Sequence, residues 1–235
     1  MFLFYRLLLA HLIADFPLQF SRLFRLKMEG IKGTILHGSV FGILAILMSV
    51  PYIKLSFVGI YLIFLWVFHI LIDWTKVKIM TRFKKDNLAL FLWDQAMHLV
   101  SMAIVIPFSL KRSQPSFLGS LYLSDMFIVT AILYVVASFA ATVIIYYLKK
   151  SFVSPDTLFP GSGKYLDTLE RSLVFVLIVL PGYFYVLVPA VIAVKSAVCI
   201  KKKFHSNNYD FSLFNLVASY SIAIASAVIL RFIKF

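Results

Sequence analysis

Residues 56–75 read SFVGIYLIFLWVFHILIDWT. Twenty such residues are long enough to cross a hydrocarbon layer of about 30 Å as a helix. Yet His69 and Asp73 stand inside the run, and ionisable groups at such a depth are costly enough to read as a site by default. Their spacing of four puts both on one helical face, about 6 Å apart along the axis. This single stretch therefore predicts a membrane helix with a polar pair aimed at one partner.

The rest of the chain repeats the pattern. It has 235 residues, of which 62% are hydrophobic and only 14% charged, and its mean hydropathy is +0.94. These values exclude a soluble globular domain and predict an all-α, polytopic transmembrane helix bundle. Apolar runs at 2–20, 35–53, 56–75, 88–109, 124–148, 168–181, 185–200 and 211–230 give about eight spans. The sixth and seventh are short and meet at Pro181-Gly182, so six spans plus a short or re-entrant hairpin is the alternative. We expect a single integral membrane domain over 1–235. Within it, 1–150 form a five-span part with the site, 151–167 a cytoplasmic loop and 168–235 a three-span part. The apolar N-terminus lacks a basic leader and a small-residue cleavage site, and reads as a retained first span.

The net charge of +13 is explained by position. Lys and Arg number fifteen in the connections after the first, third, fifth and seventh spans, against five on the opposite side. That bias predicts a multi-pass cell-membrane protein with both termini extracytoplasmic. It also removes nucleic acid as a partner and leaves membrane lipids. The sequence does not specify an oligomeric state. One cysteine, Cys199, excludes an intrachain disulfide and any multi-cysteine cluster, so metal ligands must be N and O atoms.

Two further pairs share the spacing of four, His11 with Asp15 and Asp94 with His98. The first and third spans run inward and the fourth outward, with its order reversed. The three histidines therefore fall in one layer and the three aspartates in another, in the cytoplasmic half of the bilayer. His37 falls near the aspartate layer, and only His205 lies elsewhere. Imidazole and carboxylate are ligands for zinc first, and for manganese or iron. Facing helices of a bundle can supply them. The expected ligands are His11, Asp15, His37, His69, Asp73 and His98, and Asp94 or Glu170 is the candidate general base. Arg171 and Lys195 suit an anionic head group, with Gln19 continuing the face of Asp15 one turn on. Lys76 reads as an interface anchor that could also pair a carboxylate. Gly161-Ser-Gly163-Lys164 has the wrong spacing for a phosphate loop and reads as plain loop. A metal-free proton relay, or polar packing between helices, uses the same residues and stays open.

The segment LAHLIADFPLQ (9–19), together with His37, HILIDWTK (69–76), GKYLDTLER (163–171) and Lys195-Ser196, resembles domain-of-unknown-function family 3307, a bacterial inner-membrane family. The resemblance covers nearly the whole chain and implies architecture more than activity. The chain departs from it at Asp167, where a glycine is expected, at Cys199, where an arginine is expected, and at Asn215-Leu216, where Gly-Thr is common. By analogy, the His-and-Asp pattern is similar to that of membrane-bound metal-dependent hydrolases.

The leading expectation is a metal-dependent hydrolase acting on a lipid or lipid-linked substrate at the cytoplasmic face. An ion- or proton-coupled transporter, a haem-binding carrier with histidine axial ligands and a non-catalytic membrane subunit are the alternatives. The apolar outer halves of the spans weigh against a continuous transport path.

Overall fold

Leu3, Leu7, Ala10 and Ala14 fall on one stripe of helix α1 (Leu3–Asp15), and all four are buried. They pack on Phe41 and Ala45 of α3 (Ile31–Ser49), on Leu62 and Leu65 of α4 (Ser56–Phe83) and on Met102 of α5 (Leu88–Ala103). Between α1 and α3 lies the short helix α2 (Ser21–Glu29). The computed structural model describes residues 3–53, 56–84, 86–108, 124–159, 163–202 and 212–234, which are mostly helical with no strand among them. His205, Lys111 and Arg112 lie outside the described residues.

Among the described residues, four helical stretches are long and apolar enough to cross a membrane: Ile31–Tyr52, Phe57–Phe83, Asp125–Phe152 and Leu213–Ile233. Leu88–Ala103 and Phe184–Ala197 are apolar but shorter. Helix α1, with 13 residues, is about 20 Å long, less than the hydrocarbon thickness.

The helix of the first span stops at Asp15 instead of reaching residue 20, which corrects the expectation that Gln19 continues the Asp15 face. Pro17 has no N–H to donate, and Leu18 N–H reaches back to Ile13 C=O (3.0 Å), which closes the helix. Gln19 sits in the connection to α2, half-buried. At the start of α5, by contrast, the Asn87 side chain caps the N–H of Leu90 (3.0 Å).

The chain divides into two compact units, residues 1–132 and 133–235. The boundary falls inside α6 (Asp125–Phe152) and not at the loop after residue 150. A π-turn at Val136–Ala140 lies just beyond that boundary, and the residues after it bond to the later helices. Helix α7 (Gly163–Val179) starts five residues earlier than the expected span, which places Gly163 and Lys164 in its first turn. A bend at Pro181-Gly182 and a 3₁₀ turn (Phe184–Leu187) lead into α8 (Val188–Lys202), followed by α9 (Leu213–Lys234).

In the first unit α2 folds back hard on α3. Gly30 joins them at φ +147°, a conformation that L side chains rarely adopt. Three residues on, a Cβ at Gly33 would collide with the backbone carbonyl of Leu26. Gly33→Val is therefore expected to force the helices apart and cost ~1–3 kcal/mol. A thermal scan of the detergent-solubilised protein should show it as a lowered midpoint.

Candidate functional site

Helices α1, α3, α4 and α5 each bring polar side chains to one buried place in the first unit. The rings of His11, His69 and His98 form a triangle with centroid separations of 5.6, 4.7 and 4.2 Å. Phe41 stacks on His69 at 4.4 Å and meets His11 edge-on, which fixes both rings from the apolar side. Below the triangle lie Asp15, Asp73 and Asp94, and His37 sits among the carboxylates. Its Nε2 is 3.2 Å from Asp15 Oδ1 and 3.4 Å from Asp73 Oδ2. All four histidines and all three aspartates are buried.

The donor atoms are close enough together to hold a metal ion. His69 Nε2 stands 3.4 Å from Asp73 Oδ2 and 3.7 Å from Asp15 Oδ1. With the two contacts of His37, four of the six edges between these two nitrogens and two oxygens measure 3.2–3.7 Å. A tetrahedral ion with bonds of about 2.0–2.1 Å has edges of about 3.3 Å. Three ligand trios have their donor atoms within 4.8 Å of one another: His11, His69 and His98; Asp15, His37 and His69; Asp15, Asp94 and His98.

Several of these atoms have no other employment. His11 Nδ1, His69 Nε2, His98 Nε2, Asp73 Oδ2 and Asp94 Oδ1 are buried and make no hydrogen bond with the described residues. His37 Nε2 and Asp15 Oδ1 are hydrogen-bonded at 3.2 Å, whereas Asp73 Oδ2 lies 3.4 Å from both His37 Nε2 and His69 Nε2 without bonding to either. Buried polar atoms left this way cost stability, and a convergent set of them calls for an explanation.

The sequence reading missed two participants and underrated a third. Lys27 of α2 is buried and donates to Asp73 Oδ1 at 2.6 Å. Burial by itself would lower its pKa, but Asp73, with Asp15 and Asp94 behind it, more than offsets that and holds the pKa above the ordinary lysine value. The signal was present: in SRLFRLKME (21–29) Lys27 shares the buried face of Leu23, whereas Arg22 and Arg25 are exposed. Gln95 bridges the site, donating to Asp15 Oδ2 (3.3 Å) and Asp94 Oδ2 (3.1 Å) and meeting His11 Nε2 through Oε1 (3.3 Å). Lys76, read as an interface anchor, donates to Asp94 Oδ2 at 2.7 Å. Each lysine thus holds one carboxylate oxygen, and the other oxygen faces the histidines.

Glu170, Arg171 and Lys195 belong to the second unit. Lys195 donates to Asp167 at 2.7 Å and pairs with Glu170. Arg171, fully buried, donates from Nε and Nη2 to the carbonyl of Ser138 (3.2 and 2.7 Å), a group within the π-turn, and from Nη1 to Ser219 Oγ (3.0 Å). Asn215 donates to Asp167 Oδ2 at 3.4 Å. The charges of Asp167, Glu170, Arg171 and Lys195 cancel.

Residues 3–129 match the family model described as "Protein of unknown function (DUF3307)". No curated protein and no solved structure matches the chain.

Proposed function

The chain belongs to the DUF3307 family, whose function is unknown, and from that premise we propose that its His/Asp centre binds a divalent cation, zinc first, and serves metal-dependent hydrolysis of a lipid or lipid-linked ester or phosphate. The observation that supports this most is the convergence of His37, His69, Asp15 and Asp73, where four of the six separations between donor atoms measure 3.2–3.7 Å, near the edge of a tetrahedral ion. His11 and His98 complete the surroundings. The lipid is suggested by where His37, His69 and Asp73 lie, on the two helices of the centre, α3 and α4, that are long and apolar enough to cross a membrane. The excess of Lys and Arg in alternate connections supports a centre toward the cytoplasmic side.

A bound ion of this kind lowers the pKa of water and polarises a scissile oxygen. Asp94 is the base: Lys76 and Gln95 hold its Oδ2, and its free Oδ1 is left to accept a proton. Gln95 ties Asp94 to Asp15 and keeps the base in register with the ligand shell. We assign no head-group role to Arg171 and Lys195, since their donors already serve partners in their own unit.

Elemental analysis of protein purified in detergent without chelator tests the reading. We expect about one divalent ion per chain, lost in His37→Ala and His69→Ala. A folded wild-type protein without metal would sink it. With metal retained, Asp94→Asn is expected to lower turnover of the lipid substrate by about 10²–10⁴-fold.

One observation favours a metal-free, ion- or proton-handling network instead. Two of the three carboxylates already carry a lysine. Flux into liposomes that is lost in Asp73→Asn, together with absence of metal, is the outcome that selects it.

A further inference from the structure

Helix α2 presents three kinds of surface around its axis. Leu23 and Lys27, four apart, are buried, and Lys27 reaches Asp73 at 2.6 Å. At 100° per residue, Phe20 and Phe24 come next round the helix, and Arg25 and Arg22 stand opposite the buried face. All four are exposed, Phe20 by 57% and Phe24 by 46%. Among the described residues neither guanidinium has an ion-pair or hydrogen-bond partner. The neighbouring elements fix the depth of α2. The membrane-crossing stretch of α3 begins at Ile31, directly after the Gly30 turn, and its 22 residues extend about 33 Å, close to the hydrocarbon thickness. Its first turn therefore stands at a membrane boundary. Across the bundle, the residue after Asp73 is Trp74, whose ring carries Lys78 Nζ at 3.6 Å. A ring beside a cation is the pairing found where a helix leaves the hydrocarbon.

We infer that α2 is an interfacial helix whose exposed side binds the anionic head groups of the surrounding lipids, with Arg22 and Arg25 pairing phosphates and Phe20 and Phe24 set into the acyl boundary. Cations on one arc and aromatic rings on the next are what a helix lying on an anionic bilayer surface requires. An acidic protein would also suit the arginines, but it would leave the two rings in water, and α2 sits where lipid is already present. The contact lies on the side of α2 away from Lys27. It goes beyond the hydrolysis proposed above and holds with or without a metal at the centre.

The test uses the full chain carrying Phe24→Trp, reconstituted into vesicles of phosphatidylcholine and phosphatidylglycerol in which one lipid at a time has brominated acyl chains. Bromine quenches an indole that it touches, and the added fluorescence is read as the difference from wild type, which has three tryptophans of its own. At equal mole fraction, brominated phosphatidylglycerol is expected to quench the added indole with about tenfold preference over brominated phosphatidylcholine. Arg22→Gln or Arg25→Gln should each lower that preference about fivefold, and the double variant or high salt should abolish it. Arg22→Lys and Arg25→Lys should keep it. Both arginines are exposed, so an unchanged thermal midpoint is expected to show that each variant is folded. Quenching by neither lipid would turn this side of α2 to water and leave it to an acidic protein. Equal quenching by both would remove head-group recognition, and an unchanged preference in the double Gln variant would remove the arginines. Each of these three results overturns the inference, and none bears on metal binding at the centre.

Discussion

Asp73→Ala is expected to abolish metal binding and to destabilise the protein by about 3–5 kcal/mol, the cost of breaking a buried ion pair from one side. Asp73 is fully buried, and its two oxygens do separate work. Oδ1 accepts from Lys27 at 2.6 Å, while Oδ2 lies 3.4 Å from both His37 Nε2 and His69 Nε2. Removing the carboxylate leaves the Lys27 ammonium without its hydrogen-bond partner in a site it cannot leave, because α2 is pinned to α3 at Gly33. The double variant Asp73→Ala, Lys27→Met separates the two jobs. It should recover most of the lost stability, seen as a raised thermal midpoint, and recover none of the metal. If the double variant is no more stable than Asp73→Ala, the ion pair is not what holds α2 down.

Arg171→Met is expected to cost about 3 kcal/mol, since it strands the Ser138 carbonyl and the Ser219 hydroxyl in a buried setting. Metal per folded chain should stay at the wild-type value, because the groups that Arg171 donates to, on Ser138, Thr142, Thr168 and Ser219, lie within residues 133–235. Arg171→Lys should recover little. One ammonium cannot reproduce a planar fork that donates from Nε and Nη2 to one carbonyl and from Nη1 to Ser219. Loss of metal in a stable Arg171 variant would return this residue to the metal centre.

How much of the site was legible depended on the range of the interaction that builds it. His11 with Asp15, His69 with Asp73 and Asp94 with His98 could be paired from spacing alone, because a helix puts residues four apart on one face whatever surrounds it. His37 could be placed near the carboxylates from its depth in α3. Gln95 could not be read this way. It stands beside Asp94 in sequence, and its importance comes from reaching Asp15, 80 residues away. Arg171 looked like a head-group ligand because a cation near a span end often is one. Its partner is a carbonyl within the π-turn of α6, and no residue pattern in Val136–Ala140 announces that turn.

The sequence by itself determined the helices, their apolar faces and the three polar pairs, since periodicity and hydropathy act within a few residues of each other. The tertiary structure alone decided which atoms converge. It folded α2 back so that a lysine from a basic connection became the buried partner of Asp73, and it drew Glu170, Arg171 and Lys195 into a balanced network of their own. The physical reason is that a buried charge must find an opposite charge or a dipole wherever the fold offers one, and that choice is made across helices, beyond the reach of local spacing.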